Sequence, residues 1–181
     1  MADQCLDLYK LPSDWNPGAN PFIYLLWFCI GSPVLSTRWL PGSGWRVWLL
    51  RSFGSQIGSG CRLKTGLRVK FPWRFIVGNH CWIGEDTWID NLVLVELSNR
   101  VCISQGVYFC TGNHDYRSPG FDLCAKKIFI SSDVWIAARS VLAPGSFVGL
   151  GAVVALGSVV SGKVPPGVIV RGNPAVIIGK R

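Results

Sequence analysis

The C-terminal part of the chain repeats a unit of six residues. An aliphatic residue recurs at every sixth position, giving the series Ile130, Ile136, Leu142, Val148, Val154 and Val160. The residue directly after each of these is small, giving the series Ser131, Ala137, Ala143, Gly149, Ala155 and Ser161. Such a unit is typical of a short strand and a tight turn, in which the aliphatic residue points inward and small residues allow the bend. Three units close one triangular turn of a coil, and stacked turns bury a continuous aliphatic column.

An earlier array follows the same rule with interruptions. Its aromatic and aliphatic inward positions are Ile57, Leu63, Val69, Val77, Ile83, Ile89, Leu97, Ile103 and Phe109. The register shifts near residues 71–76 and 90–96, where we expect bulges or loops. The largest break separates Phe109 from Ile130. The sequence therefore predicts an all-β solenoid with one protruding loop at about residues 112–127.

The N-terminal segment, residues 1–56, lacks the repeat and contains five of the nine Trp residues. We expect short helices at 21–30 and 45–53, separated by the turn at Pro41–Gly44. Our preferred interpretation is that this segment caps the open end of the solenoid. The alternative is that its aromatic residues rest on a membrane surface or a lipid-linked substrate. The apolar run at 21–30 is far shorter than the about 20 residues that a membrane-spanning helix needs.

The chain is thus expected to comprise a cap (1–56), a β-helix domain (57–175) and a C-terminal tail (176–181). Hydrophobic residues make up 49% and charged residues 15%, which argues against disorder, and the 21 Gly and 11 Pro indicate many turns. None of the seven Cys forms a C-x-x-C pair, so we expect reduced thiols in a cytoplasmic protein. The N-terminus begins with an acidic stretch rather than the basic start of a secretory signal.

The formal charge of +8 suits an anionic partner, such as nucleic acid, lipid headgroups or a phosphorylated small molecule. The densest basic patch has no acidic residue within it and consists of Arg62, Lys64, Arg68, Lys70 and Arg74. A solvated charged face and an anion-binding site are equally good interpretations of this patch.

Candidate chemistry lies in the largest break of the repeat, because functional groups concentrate in loops held by a regular scaffold. This break contains Thr111–Tyr116 and, within it, His114, one of only two histidines. Histidine is suited to general-base catalysis because its unperturbed pKa lies near neutrality. The other histidine, His80, falls inside a regular unit, where we expect it to face solvent without a catalytic role.

Several segments of the chain resemble one family of enzymes. Asp133–Ile136, Pro144-Gly145, Val164–Gly167 and Gly172–Ala175 resemble the maltose, galactoside and nodulation acetyltransferase group. Thr111–Asp115 and the aromatic N-terminus resemble the colanic-acid-type exopolysaccharide acetyltransferases. The resemblance implies a left-handed parallel β-helix of hexapeptide repeats and an O-acetyltransferase that uses acetyl-CoA and no metal. It also implies a homotrimer with active sites between subunits.

The resemblance also assigns roles to residues of this chain. His114 matches the catalytic base, which would act by direct transfer without an acyl-enzyme. Residues expected to bind the acceptor are Asp90, Asn91 and Asn113. Residues expected to bind coenzyme A are Trp135, Ala138, Leu156, Ser161, Lys163 and Arg171. Lys163 and Arg171 are the nearest cations for its phosphates, although Gly162 stands where some relatives have lysine.

The resemblance favours a sugar or exopolysaccharide precursor as acceptor, in the cytoplasm or at the inner face of the membrane. The alternatives are another small acceptor, such as an antibiotic, serine or an amino sugar, or a non-catalytic basic solenoid that serves as a scaffold. A nucleic-acid partner is not expected. Two histidines are too few for a γ-type carbonic anhydrase, which shares the solenoid but requires three zinc-binding histidines. A sugar nucleotidyltransferase would need an added nucleotide-binding domain with a glycine-rich loop, which the sequence lacks.

Overall fold

The fold is a three-sided coil of short parallel strands, seen in a computed structural model that describes residues 6–13 and 15–181. Most strands are two or three residues long, and in the parallel strands of the coil the last or the middle residue points into the core. All six aliphatic residues of the C-terminal series are buried, with at most 2% of their surface exposed. The predicted all-β solenoid and its inward column are therefore confirmed.

Each face of the coil is one sheet. The first face consists of β1 (Gln56–Ile57), β4 (Phe75–Val77), β7 (Val95–Leu97), β12 (Ile128–Ile130), β15 (Phe147–Val148) and β18 (Lys163–Val164). The second face consists of β2 (Arg62–Leu63), β5 (Trp82–Ile83), β8 (Cys102–Ile103), β13 (Trp135–Ile136), β16 (Val153–Val154), β19 (Val168–Gly172) and β20 (Ala175–Lys180). The third face consists of β3 (Arg68–Val69), β6 (Trp88–Asp90), β9 (Tyr108–Cys110), β14 (Val141–Leu142) and β17 (Val159–Val160).

One corner of the coil accommodates all the irregularities of the repeat. It joins the third face to the first face of the next coil, and we call it the loop corner. The loop corner consists of residues 70–74, 91–94, 111–127, 143–146 and 161–162. The two predicted register shifts, near 71–76 and 90–96, and the large break are confirmed as insertions at this single corner. The third insertion carries an antiparallel hairpin of β10 (Gly112–His114) and β11 (Leu123–Ala125).

The N-terminal segment packs across the first coil. Its helical elements are a 3₁₀ turn (Leu6–Leu8), α1 (Pro21–Leu26), a π-helical turn (Trp27–Gly31), α2 (Ser32–Leu35) and α3 (Gly44–Ser52). A further 3₁₀ turn, Pro72–Arg74, lies in the loop corner. The predicted helices are confirmed, and the first continues beyond residue 30 to Leu35. The indole of Trp27 is fully buried and donates to the carbonyls of Val69 and Lys70, at 3.2 and 3.0 Å. The cap therefore covers apolar surface that the first coil would otherwise expose.

At the other end of the coil, β19 turns back into the antiparallel β20. Residues 176–181, separated as a tail on sequence, lie largely within this strand. The side chain of Arg181 donates to the backbone carbonyls of Asp133 and Gly151, which ties the C-terminus to two earlier coils. None of the six cysteines in the described ranges is disulfide-bonded. Within residues 6–13 and 15–181, no helix has the length and apolar character required to cross a lipid bilayer.

Candidate active site

His114 lies where the hairpin leaves the loop corner of the third coil. It is the last residue of β10, where it pairs with Leu123, and its side chain is half-buried. The neighbouring Asn113 is exposed, and its side-chain oxygen accepts the backbone N–H of His114 at 2.8 Å. Two residues expected to take part in the reaction therefore stand together on one short strand.

The hydrogen bonding of His114 determines its tautomer. The imidazole Nδ1 lies 2.7 Å from the backbone carbonyl of Phe121. A carbonyl oxygen can only accept, so Nδ1 carries the hydrogen and donates it. In the neutral ring this leaves the lone pair of Nε2 available to accept a proton. This is the form of histidine that a general base requires.

Two aromatic rings fix the orientation of the imidazole. The ring of Phe121 stacks on His114 with centroids 4.3 Å apart and planes only 6° apart. Tyr9 of the N-terminal segment approaches the imidazole edge-on at 5.6 Å. Phe121 was not among the predicted site residues, and it adopts a left-handed backbone conformation (φ 50°) that non-glycine residues rarely take. No signal in the sequence indicates this conformation, because the tertiary arrangement of the loop imposes it.

Asp90 ends β6, one coil before the hairpin. Its side chain lies 3.0 Å from Nζ of Lys70 and accepts the hydroxyl of Tyr108 at 3.1 Å. Burial, together with Cys110 and the Asp90 carboxylate, raises the pKa of Tyr108, so this phenol stays protonated and donates. The backbone N–H and the hydroxyl of Thr111 both bond to the carbonyl of Asp90, at 3.2 and 3.1 Å. Asp90 is thus hydrogen-bonded to Thr111, the first residue of the loop that carries His114.

Asn91 occupies a different environment from the other predicted acceptor residues. It is fully buried, and its amide donates to the carbonyls of Phe71 and Arg74, at 2.8 and 2.9 Å. Its side-chain oxygen accepts the N–H of Phe71 at 3.0 Å. Because both amide hydrogens are engaged, Asn91 holds the loop corner of the preceding coil and offers no free donor to a ligand.

The residues expected to bind coenzyme A form two rows in the last coils. Trp135, Ala138, Leu156 and Arg171 lie on the second face or at its corner with the third face. Ala138 and Leu156 stand on successive coils, where the N–H of Gly157 donates to the Ala138 carbonyl at 2.9 Å. Ser161 belongs to the loop corner, and Lys163 begins β18 directly after it.

These rows follow opposite edges of the third face, so a single chain does not bring all six residues into one pocket. Trp135 is 44% exposed, and its indole N–H donates to the hydroxyl of Ser104 at 3.1 Å. Leu156 is 71% exposed, whereas Ala138 is buried. His80 is exposed, as expected, and occupies a turn with φ 57°. No group of three or more His, Cys, Asp or Glu side chains suited to a metal ion occurs in the part of the chain that the structure describes.

Comparison with known proteins identifies relatives that match between 71% and 98% of the chain. WcaF of Escherichia coli (strain K12), named as a colanic acid biosynthesis acetyltransferase, is 33% identical over 98% of this chain and 97% of its own length. The galactoside O-acetyltransferase of Lactococcus lactis is 27% identical over 71% of this chain and 64% of its own. A hexapeptide-repeat acetyltransferase of Vibrio cholerae, solved with acetyl coenzyme A, is 27% identical with a TM-score of 0.78. That match covers 90% of this chain and 91% of the other. No protein-family model matches the chain.

Proposed function

Because this chain belongs to the family of hexapeptide-repeat acetyltransferases, we propose that it transfers the acetyl group of acetyl-CoA to a sugar hydroxyl, with His114 as the general base. Acetyltransferase activity and the co-substrate acetyl-CoA follow from the family. The base and the acceptor are the proposed parts. The observation that carries the proposal is the bond from His114 Nδ1 to the Phe121 carbonyl, which leaves Nε2 free for the proton.

The proposed reaction is a direct transfer. Nε2 of His114 takes the proton of the acceptor hydroxyl while the hydroxyl oxygen attacks the thioester carbonyl carbon. The tetrahedral intermediate then collapses, the carbon–sulfur bond breaks, and the thiolate of coenzyme A receives the proton from the imidazolium. The Phe121 carbonyl accepts from Nδ1 throughout, which keeps the ring oriented and stabilises its positive charge. Among residues 6–13 and 15–181, no cysteine is hydrogen-bonded to His114 as a covalent route would require.

For the acceptor, we propose contacts with Asp90 and Asn113. Carboxylate and amide groups accept and donate the hydrogen bonds that sugar hydroxyls require. The ion pair with Lys70 and the hydrogen bond from Tyr108 hold the Asp90 carboxylate in one orientation. A role in the fold suits the buried Asn91 better than a role in acceptor binding. The sugar acceptor is supported by the names of the relatives, one a galactoside O-acetyltransferase and one a colanic acid biosynthesis acetyltransferase.

We also propose a homotrimer whose active sites lie between subunits. In this assembly, the row of Trp135, Ala138, Leu156 and Arg171 on one chain would face the row of Ser161 and Lys163 on a neighbouring chain. Coenzyme A would then lie in the groove between them, with its thin pantetheine arm against Ala138 and Ser161. Lys163 and Arg171 are exposed and available for its phosphates.

The cap supports a peripheral membrane contact, which we propose as a secondary feature. Its outward surface carries large apolar side chains that are 39–80% exposed, namely Phe22, Ile23, Leu25, Phe28, Ile30, Val34, Trp39 and Trp48. Exposed apolar patches of this kind mark protein or membrane interaction sites. Sedimentation with anionic vesicles tests this contact, and Leu25→Ser together with Ile30→Ser should abolish it.

The experiment that tests the proposed function combines binding with product analysis. Calorimetric titration with acetyl-CoA should show one saturable site per chain, which a generic polyanion does not reproduce. Release of free coenzyme A should then depend on added galactoside, and the product should lose its acetyl group in mild base, as an ester does. A base-stable product would instead indicate an amino-sugar acceptor and an amide. Equal binding of the polyanion, or no sugar-dependent release with any sugar tested, would contradict the proposal.

A further inference from the structure

A cleft lies between the cap and the third face, and none of the residues considered above as coenzyme A ligands lines it. The cap contributes Phe28, Ser32, Pro33 and Ser36, and the first two coils contribute Arg68, Val69, Lys70 and Trp88. The cleft has a volume of about 520 Å³. This volume falls within the range of small-molecule sites, roughly 300–1,000 Å³. Two cations, two hydroxyls and two aromatic rings therefore surround one space large enough for a ligand.

The basic patch recognised in the sequence separates into different roles in the structure. Arg74 donates to the backbone carbonyls of Leu92 and Asn16 and serves the fold. Lys70 pairs with Asp90 at 3.0 Å. Arg62 and Lys64 lie over the ring of Trp82 on the second face. Of the five residues, only Arg68 both lines this cleft and forms no ion pair with a carboxylate among residues 6–13 and 15–181.

The guanidinium of Arg68 is held in place without using its hydrogen-bond donors. Its central carbon lies 4.5 Å from the ring centroid of Trp88, which in turn stacks on Tyr108 at 4.7 Å. Stacking occupies the face of the guanidinium and leaves its in-plane N–H groups directed outward. Within the described ranges, the Arg68 side chain donates to no protein acceptor, whereas Arg38 pairs with Asp86 at 2.7 Å.

The charge distribution favours an anion at this end of the molecule. Residues 15–84 contain eight Lys and Arg and no Asp or Glu, so this stretch alone accounts for the net charge of +8. The remaining residues contain equal numbers of basic and acidic side chains. Asp86 and Asp90 of the second coil pair with two of these eight cations, Arg38 and Lys70, and the other six form no ion pair within the described residues. An anionic group is therefore attracted to the cap and the first coil.

We propose that this cleft binds a phosphate group carried by the sugar acceptor. A guanidinium fork and an ammonium group bind phosphate oxygens strongly, and the Ser32 and Ser36 hydroxyls add further donors. Lys70 shares its charge with Asp90, so Arg68 provides most of the attraction. The cleft adjoins one of the proposed acceptor residues, because Lys70 lines the cleft and its Nζ lies 3.0 Å from the Asp90 carboxylate. This inference rests on the proposed function, and it adds that the acceptor is a phosphorylated sugar.

The test measures equilibrium binding in the His114→Gln protein, so that turnover does not enter. The probes are galactose and galactose 1-phosphate, with UDP-galactose as a soluble diphosphate and polyprenyl-diphosphate galactose in phosphatidylcholine vesicles as a lipid-held diphosphate. At least one phosphorylated probe should bind about 10-fold or more tightly than galactose. Binding by only the soluble probes, or by only the vesicle-held probe, would identify the source of the phosphate. Vesicles without the sugar lipid control for membrane contact.

Three variants connect this binding to the cleft. Arg68→Gln should weaken the phosphorylated probe by about 10- to 100-fold, as expected for loss of a charged hydrogen-bonding partner, and leave galactose unchanged. Arg62→Gln removes the same charge from the equivalent position on the second face, where Arg62 also stacks on a tryptophan, and should change binding less than about 2-fold. Arg68→Lys, which keeps the charge, should recover part of the loss and shows that the site survives substitution.

The inference is overturned if no phosphorylated probe binds more tightly than galactose. It is also overturned if Arg62→Gln and Arg68→Gln weaken binding equally, since that result indicates a general field effect. These outcomes are independent of acetyl transfer. Failure of the proposed function would instead appear in the wild-type protein as absence of sugar-dependent release of coenzyme A.

Discussion

The backbone N–H and C=O groups are hydrogen-bonded to different partners in the regular strands after Ile130 and in the loop corner. In the regular coils, each strand bonds to its neighbour in parallel, and the inward side chains are aliphatic and buried. In the loop corner, polar side chains satisfy the backbone, as Asn91 does for Phe71 and Arg74. The regular strands pack their aliphatic side chains into a continuous column, whereas the inserted residues of the loop corner present polar groups on the outside of the coil. The comparison explains why His114 and Asp90 occur beside the same corner.

The largest expected effect comes from removing the proposed base, His114, at the loop corner. His114→Gln should lower the turnover number by about 10²- to 10⁴-fold, because proton transfer by a positioned base contributes this much. The affinity for acetyl-CoA and the melting temperature should stay near those of the wild type. His80→Asn is the matched control, since His80 is exposed in a turn whose φ of 57° asparagine tolerates. Turnover that survives in His114→Gln would remove this residue from the mechanism.

The regular coils should respond in stability instead. Leu142→Ala removes a fully buried side chain from the column and should lower the free energy of unfolding by about 2–5 kcal/mol. Chemical denaturation measures this loss, and turnover per folded molecule should change little. Val141→Ala, on the outer side of the same strand, should cost clearly less. Equal losses for the two variants would show that the column does not carry the stability of these coils.

Asn91 should combine both behaviours, because it is a structural residue within the loop corner. Asn91→Ala leaves the buried N–H of Phe71 and the carbonyls of Phe71 and Arg74 without their partner. We expect a loss of about 1–3 kcal/mol in the free energy of unfolding. Asn113→Ala, at an exposed position, should leave stability unchanged. If Asn91→Ala instead raises the KM for the sugar without affecting stability, acceptor binding is the better assignment.

The smallest expected effect concerns the orientation of the imidazole. Phe121→Gly removes the stacked ring but keeps the φ of 50°, so its carbonyl still accepts from Nδ1. Turnover should fall by about 2- to 10-fold, in line with the energy of an aromatic pair. Phe121→Val should be worse, because a β-branched residue resists this backbone conformation and displaces the carbonyl. If valine is tolerated better than glycine, the carbonyl contact is not what positions His114.

Much of the candidate site is visible in the sequence only as an interruption of the repeat. The break between Phe109 and Ile130 drew attention to His114, and the shifts near 71–76 and 90–96 indicated where loops would form. The sequence does not show that all three insertions lie at the same corner, because this depends on how the coils stack. The contact between His114 and Phe121 was also hidden, because it depends on a loop conformation that no local residue preference favours.

The residues of the basic patch also differ in ways that only the structure shows. Its five residues are alike in the sequence, yet in the structure Arg74 donates to backbone carbonyls, Lys70 pairs with Asp90 and Arg68 lines a cleft. Their neighbours differ because the surrounding side chains come from other coils and from the cap. Sequence proximity therefore did not predict which cation is available to a ligand.

What the sequence by itself determined is the solenoid, its inward column and the position of its breaks. These features follow from a local rule repeated many times, in which each unit contacts only its neighbours. Only the tertiary structure determined the tautomer of His114, the structural role of Asn91 and the availability of the Arg68 hydrogen-bond donors to a ligand. Each of these depends on a contact between residues distant in the chain, and such contacts are set by how coils, loop and cap pack together.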